Sequence, residues 1–423
     1  MRERGLQRRV LRAILVAGCL LHASMPTRAE TVLRLFIGAQ PAAALRELVE
    51  AYSARHPGVR VEIETGGTTP EQQQRYLNAA LASKDASFDL ALIDVLRPAQ
   101  WAGANWLEPL DSYLGPEKDA LLARMLPAYR TAGVINGKTV ALPFSADAQF
   151  LYFRKDLLEK YGLVPPRTWD DLKLAVQKVL DGEKSATLRG LEAVGAPVEG
   201  AVCTFLTSLW AAGEDLLKDG KPELSGEAAR KAFQFWGDLR TAKVVPASLA
   251  DIPTDRVRQS FQAGNLLFGM SWAYVAGRVQ NDADSAARGK FGVMPVPGLA
   301  AENPSSCLGG WQIAVSGVSK NKGEAARLAW YLATPEAAKT RALRAGQLPV
   351  FTELFRDGEV LGAHPWFAEA LPALEAARPR PVTPRYSEVS EIIRTNLHAV
   401  LAGTRTIDAA LADMNARLAP IFK

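Results

Sequence analysis

Few residues in this 423-residue chain stand at spacings that support covalent chemistry. Histidine occurs only at His22, His56, His364 and His398, and none of them lies in a His/Cys cluster with metal-ligand spacing. There is no serine-centred nucleophile elbow, and Gly66-Gly67 lacks the further glycines and lysine of a phosphate-cradling loop. Carboxylates and aromatic rings remain. Asp94 closes the apolar run Leu90-Ala91-Leu92-Ile93, and Asp147 ends Pro143-Phe144-Ser145-Ala146. Two such acids suit glycoside hydrolysis, and they equally suit hydrogen bonding to sugar hydroxyls. Trp272, with Tyr274 two residues on, follows the apolar run Leu266–Met270. Such rings offer large, rigid contact area to the apolar face of a sugar, although any single tryptophan more often packs in a core. Gly309-Gly310-Trp311 opens another apolar run. Adjacent glycines weaken a strand, so their presence points to a close approach by a ligand or another backbone.

These groups need elements to hold them. Thr31–Ile37, Val59–Glu64 and Asp89–Asp94 read as strands, and residues 41–55 and 72–83 read as the helices between them. Strand, helix, strand, helix, strand implies an α/β architecture with a parallel sheet, whose strand ends carry the ligand loops. Asn136-Gly137 signals a tight hairpin. Thr168-Trp169-Asp170-Asp171 and Thr334-Pro335-Glu336 signal helix starts. Further short strands are expected at 266–270, 291–293 and 311–315, with helices dominating from 198 onward. The segment Arg378–Tyr386 holds three prolines in six residues, which forbids helix there and leaves a stiff connector able to line a cleft.

The formal charge of +5 does not indicate a nucleic-acid partner. Six arginines against Glu3 within residues 1–29 account for all of it, and the rest of the chain is balanced. Arginines, an apolar run from Ala13 to Leu21 and small residues up to Ala29 form a secretory leader layout, too short for a membrane span. Cleavage after Ala29 is expected, with lipidation at Cys19 as the alternative. The other cysteines, Cys203 and Cys307, are either one disulfide or two buried thiols.

Several ordered motifs resemble the extracellular solute-binding proteins of bacterial ABC importers, in the large carbohydrate-binding family, and most of all its maltose- and trehalose-binding branch. They are Phe88–Val95 followed by Trp106–Asp111; Pro143-Phe144 with Tyr152–Leu158; Trp210–Asp215; Phe261–Tyr274; Leu308–Val315 with Ser319–Lys322; and Arg380–Pro384. The resemblance spans essentially the whole chain beyond the leader. It implies two α/β lobes with parallel sheets, joined by a multi-segment hinge. One lobe would hold residues 30–142 and 309–365, the other 143–308 and 366–423. It implies a periplasmic monomer without cofactor or metal. That monomer would bind an α-glucoside disaccharide between the lobes and deliver it to a membrane permease. Asp94 and Asp147 would accept hydrogen bonds from hydroxyls, and Trp272, Tyr274 and Trp311 would pack on pyranose faces. Gly309 and Gly310 would admit the sugar to the backbone. Arg380 would donate a planar fork and close one end of the cleft. Gln40 and Glu199 are further expected contacts, with Gln73 and Arg75 weaker ones. A glycoside hydrolase, and a receptor for longer maltodextrins or a non-sugar solute, are the competing readings.

Overall fold

A computed structural model describes residues 30–423 except 39–41, 68–69, 225 and 302. The leader, both of its processing sites and Gln40 therefore lie outside the described residues. The first alternating run is strand β1 (Thr31–Gly38), which pairs in parallel with β2 (Val59–Thr65) and β3 (Leu90–Asp94). Helix α1 (Ala42–Arg55) buries Leu45, Leu48, Val49 and Tyr52, the stripe that its helical spacing dictates. Full burial of each such side chain contributes about 1.5–3 kcal/mol. Helix α2 (Pro70–Ala82) makes the next crossover.

The sheet does not stay parallel. Its order is completed by β4 (Leu142–Ala148) and by a strand from much later in the chain, β9 (Leu308–Val315), which lies antiparallel between β3 and β4. The expectation of purely parallel sheets is corrected here. Alternating strands and helices reveal local crossovers, but not a strand that returns from about 200 residues away. β4 joins the first sheet through its pairing with β9, and Gln149 separates it from the next strand.

The second sheet has four strands: β5 (Phe150–Arg154), β6 (Arg189–Glu192), β7 (Leu266–Ser271) and β8 (Phe291–Pro295). β5 lies antiparallel to both β7 and β8, and β6 runs parallel to β7. Helix α3 (Trp169–Glu183) starts with a reciprocal capping box between Thr168 and Asp171. Helix α4 (Gly200–Ala211) has eleven of its twelve residues buried, because α9 (Tyr386–Leu401) and a further helix, Glu227–Thr241, pack on it. Helices α5 (Tyr274–Asn281), α6 (Lys322–Leu332), α7 (Pro335–Ala345), α8 (Trp366–Glu375) and α10 (Ile407–Leu418) complete the principal elements. Thr334 caps α7, with Pro335 at its first position, as expected. The Asn136-Gly137 hairpin forms between Val134–Ile135 and Lys138–Thr139. Among the described residues, no helix is long and apolar enough to cross a membrane.

Candidate functional site

The carboxyl end of β3 delivers Asp94 beside Trp311, its cross-strand partner on β9. Trp311 is partly buried, in contrast to Trp101, which is 1% exposed and donates its Nε1–H to Asn78 Oδ1 at 2.9 Å. Trp101 is thus a core residue that also backs the cleft. Asp94 keeps some surface open, and its Oδ1 accepts the Leu96 amide at 3.1 Å. Burial pushes its carboxyl above the usual range, while Arg380 and Arg97 pull it back.

Asp147 sits two strand positions from the hinge crossing, opposite Gly309. Its Oδ1 accepts the backbone N–H of Ala273 at 2.8 Å, at the start of α5. Desolvation raises its pKa to about 7, even though that amide bond favours the ionised form. Tyr129 donates its hydroxyl to the Asp147 carbonyl, and Tyr152 donates to Trp272 O at 2.8 Å. The main chain on both sides of the crossing is therefore pinned by buried phenols.

The double glycine stands where other parts of the protein approach closely. A side chain at Gly309 would place its Cβ 2.7 Å from the Trp272 ring. Gly310 has φ +120°, and a Cβ there would lie 2.7 Å from Ser145 O and 3.0 Å from Tyr129. The close approach inferred from sequence is real. The approaching groups belong to the protein, and Gly309 is what seats the Trp272 indole against β9.

On the opposite side, Glu199 and Arg380 are brought together from 181 residues apart. Arg380 is 5% exposed, with Nη1 on Glu199 Oε1 and Nη2 on Leu308 O, each at 2.9 Å. Tyr386 also donates to Glu199 Oε1, and Ser390 donates to Oε2 at 2.6 Å. Each terminal nitrogen of Arg380 makes one hydrogen bond to the protein, and its Nε–H is buried and unpartnered. Glu199, with both oxygens engaged, holds Arg380 in place. The guanidinium lies 5.7 Å from the Trp272 ring centroid.

Gln73 is 3% exposed and donates Nε2 to Leu92 O at 2.9 Å, which ties α2 to β3. Tyr274 is 44% exposed, with its hydroxyl 3.4 Å from Asp255. Arg75 is exposed. A pocket of about 360 Å³, including its open mouth, is lined by Gln73, Asp94, Glu199 and Trp311 among the expected residues, and by Glu71, Gln74, Arg97 and Trp101 besides. Arg97 was missed by sequence reasoning. It is 7% exposed, has an unpartnered Nε–H and lies 5.8 Å from the Tyr386 ring centroid. The available signal was a lone arginine three residues past Asp94, immediately before Pro98. Among the described residues, no group of three or more His, Cys, Asp or Glu is placed to hold a metal.

Two lobes with polar and aromatic groups converging between them define a solute-binding protein of the two-lobed type. The model of the bacterial extracellular solute-binding protein family matches residues 38–339, and the chain belongs to that family. A probable ABC transporter-binding protein of Deinococcus radiodurans is 32% identical over 350 residues, 81% of each chain. A mannitol-binding protein of Pseudomonas aeruginosa is 24% identical, over 95% of each. Among solved structures, maltose-bound MalE3 of T. maritima matches with a TM-score of 0.82 and 31% identity, over 92% of this chain and 99% of that one. The resemblance read from the ordered motifs is borne out, as is the two-lobed fold.

Proposed function

We propose that this protein is the sugar-binding component of an ABC importer and takes a short α-glucoside such as maltose or trehalose. The observation that carries this reading is the cross-strand pair Asp94–Trp311 at the cleft, a hydrogen-bond acceptor beside an indole with Arg97 close by. A pyranose has hydroxyls around its rim and an apolar face, and this pair matches both. The likeness to a maltose-bound protein at 31% identity supports the same ligand class.

The two lobes also touch each other directly beside the pocket-lining residues Arg97 and Trp101. Gly103, at the end of the short helix Pro98–Gly103, lies against Pro384, where an added Cβ would come within 3.1 Å. Ser387 donates to Gln100 Oε1 at 3.3 Å across the same gap. Arg97 and Trp101, which line the pocket, lie at the start of this helix and within it, and in this reading the contact limits ligand length, a role first given to Arg380. Residues 30–148 with 308–345 form one lobe in this reading, and 150–307 with 366–423 the other. A leader at residues 1–29, a periplasmic location, a monomeric state and delivery to a permease belong to the same proposal.

A thermal-shift screen of maltose, trehalose, mannitol, amino acids and short peptides tests it, because a ligand selective for the native state raises stability. Stabilisation by maltose or trehalose alone is expected, whereas a response confined to mannitol or a non-sugar contradicts the ligand assignment. The raised carboxyls of Asp147 and Asp94 are the features that favour hydrolysis. Intact sugar recovered after long incubation is expected, and multiple turnover would make the protein a glycoside hydrolase.

A further inference from the structure

The disulfide expected as one of two possibilities is formed. Cys203 and Cys307 are bonded across 104 residues of sequence, with Cα atoms 5.7 Å apart, and both are fully buried. Its position matters more than its presence. Cys203 lies in the first turn of α4, four residues after Glu199. Cys307 immediately precedes Leu308 at the start of β9. Glu199 and Leu308 are the two acceptors that grip the Arg380 guanidinium.

The third side of this triangle is tied to the same place. Arg378 N donates to Ser306 O and Leu308 N donates to Arg378 O, each at 2.9 Å, so the segment carrying Arg380 runs alongside Cys307. Gln149, at the crossing between the sheets, donates its N–H to Cys307 O at 2.8 Å. Ser305 Oγ donates to Thr207 O at 3.1 Å, a non-covalent tie between the α4 and β9 segments. The covalent one is the disulfide.

We propose that the Cys203–Cys307 disulfide is a positioning device for Arg380: it fixes the separation of the guanidinium's two acceptors, and so aims its unpartnered N–H groups, the Nε–H among them, and sets its distance from Asp94. The inference rests on the reading of Arg380 as part of the ligand site. A disulfide serving only to stabilise the lobe would work from many places in the core. This one joins the two short segments that hold a single side chain. The guanidinium is planar, so a small separation of its acceptors breaks one of its two bonds instead of stretching both.

The experiment uses the mature protein and its Cys203→Ser/Cys307→Ser variant, with Cys203→Ala/Cys307→Val as a second replacement should the serine pair not fold. The first readout needs no ligand: solvent exchange of the Arg380 Nε–H, followed by nitrogen-15 NMR. At least tenfold faster exchange is expected at Arg380 in the variant, with the β7 backbone amides unchanged. Unchanged exchange at Arg380, or equal acceleration throughout β7, overturns the proposal. The second readout is maltose affinity. A loss of about tenfold is expected from the cysteine replacements in the wild-type background, and no further loss in an Arg380→Lys background. Losses that add in full show that the disulfide acts independently of Arg380 and overturn the proposal. If the wild-type protein fails to bind maltose, the ligand assignment falls, and the exchange readout still decides the positioning role.

Discussion

The two halves of the cleft hold similar residues and use them in opposite ways. On the first lobe, Asp94 at the end of β3 and Trp311 beside it on β9 are partly open to the pocket, and Asp94 accepts a local amide. On the second, Glu199, Arg380, Tyr386 and Ser390 bond to one another, with the Arg380 Nε–H left unpartnered. One half offers unsatisfied groups and the other offers a rigid, self-satisfied wall. A site built this way gains orientation from the second half and contact chemistry from the first, because a satisfied buried network is stiff and an open carboxylate is available.

The largest test of this contrast removes a charge from the satisfied half. Arg380→Met leaves Glu199 within a low-dielectric network without its cation, and a loss of about 3–5 kcal/mol in folding stability is expected. Denaturant titration measures it, and a loss below about 1 kcal/mol would mean that the network is not coupled as described. Next comes Asp147. Its folded pKa of about 7 lies above the ordinary value of 3.8, so its neutral form is favoured by folding. The stability linked to it is full below pH 4 and is lost as the pH rises towards 7. Asp147→Asn removes that loss and should raise stability by about 2–4 kcal/mol at pH 8, with little change at pH 4. Equal effects at both pH values would show that Asp147 titrates normally.

Much of this was legible in the sequence because it is local. The stripe Leu45, Leu48, Val49 and Tyr52, the cap at Thr168 and the apolar run ending at Asp94 each follow from spacing within a dozen residues. The types of the site residues were legible for the same reason. Whether they are free to bind was not, because that depends on partners from distant segments. Glu199 meets Arg380 only once α4 and the proline-rich connector pack together. Trp101 and Trp311 look alike as sequence, and they differ because the short helix after β3 turns one inward while β9 sets the other at the cleft. Gly309 signalled close approach correctly, but nothing within its own run identified Trp272 as the neighbour.

Smaller effects sharpen the comparison. Gly309→Ala forces the Trp272 ring from its seat and should cost about 1–3 kcal/mol, the usual range for overpacking. A matching loss of maltose affinity is expected in calorimetry, and unchanged affinity would detach Trp272 from the site. Asp94→Asn should weaken maltose binding by about 1–3 kcal/mol, the range of a hydrogen bond to a charged group, with folding stability held or raised. A fall in stability with affinity preserved would place Asp94 among the structural acids instead.

The central claim is that one ligand is held by both halves at once. Calorimetric titration of maltose into the wild-type protein, Trp311→Ala and Trp272→Ala tests it most directly. The expected result is that each substitution weakens binding by at least tenfold, one from β9 and the other from the end of β7, while both variants melt close to the wild-type temperature. An affinity left unchanged by either substitution would confine the ligand to a single lobe and contradict the account.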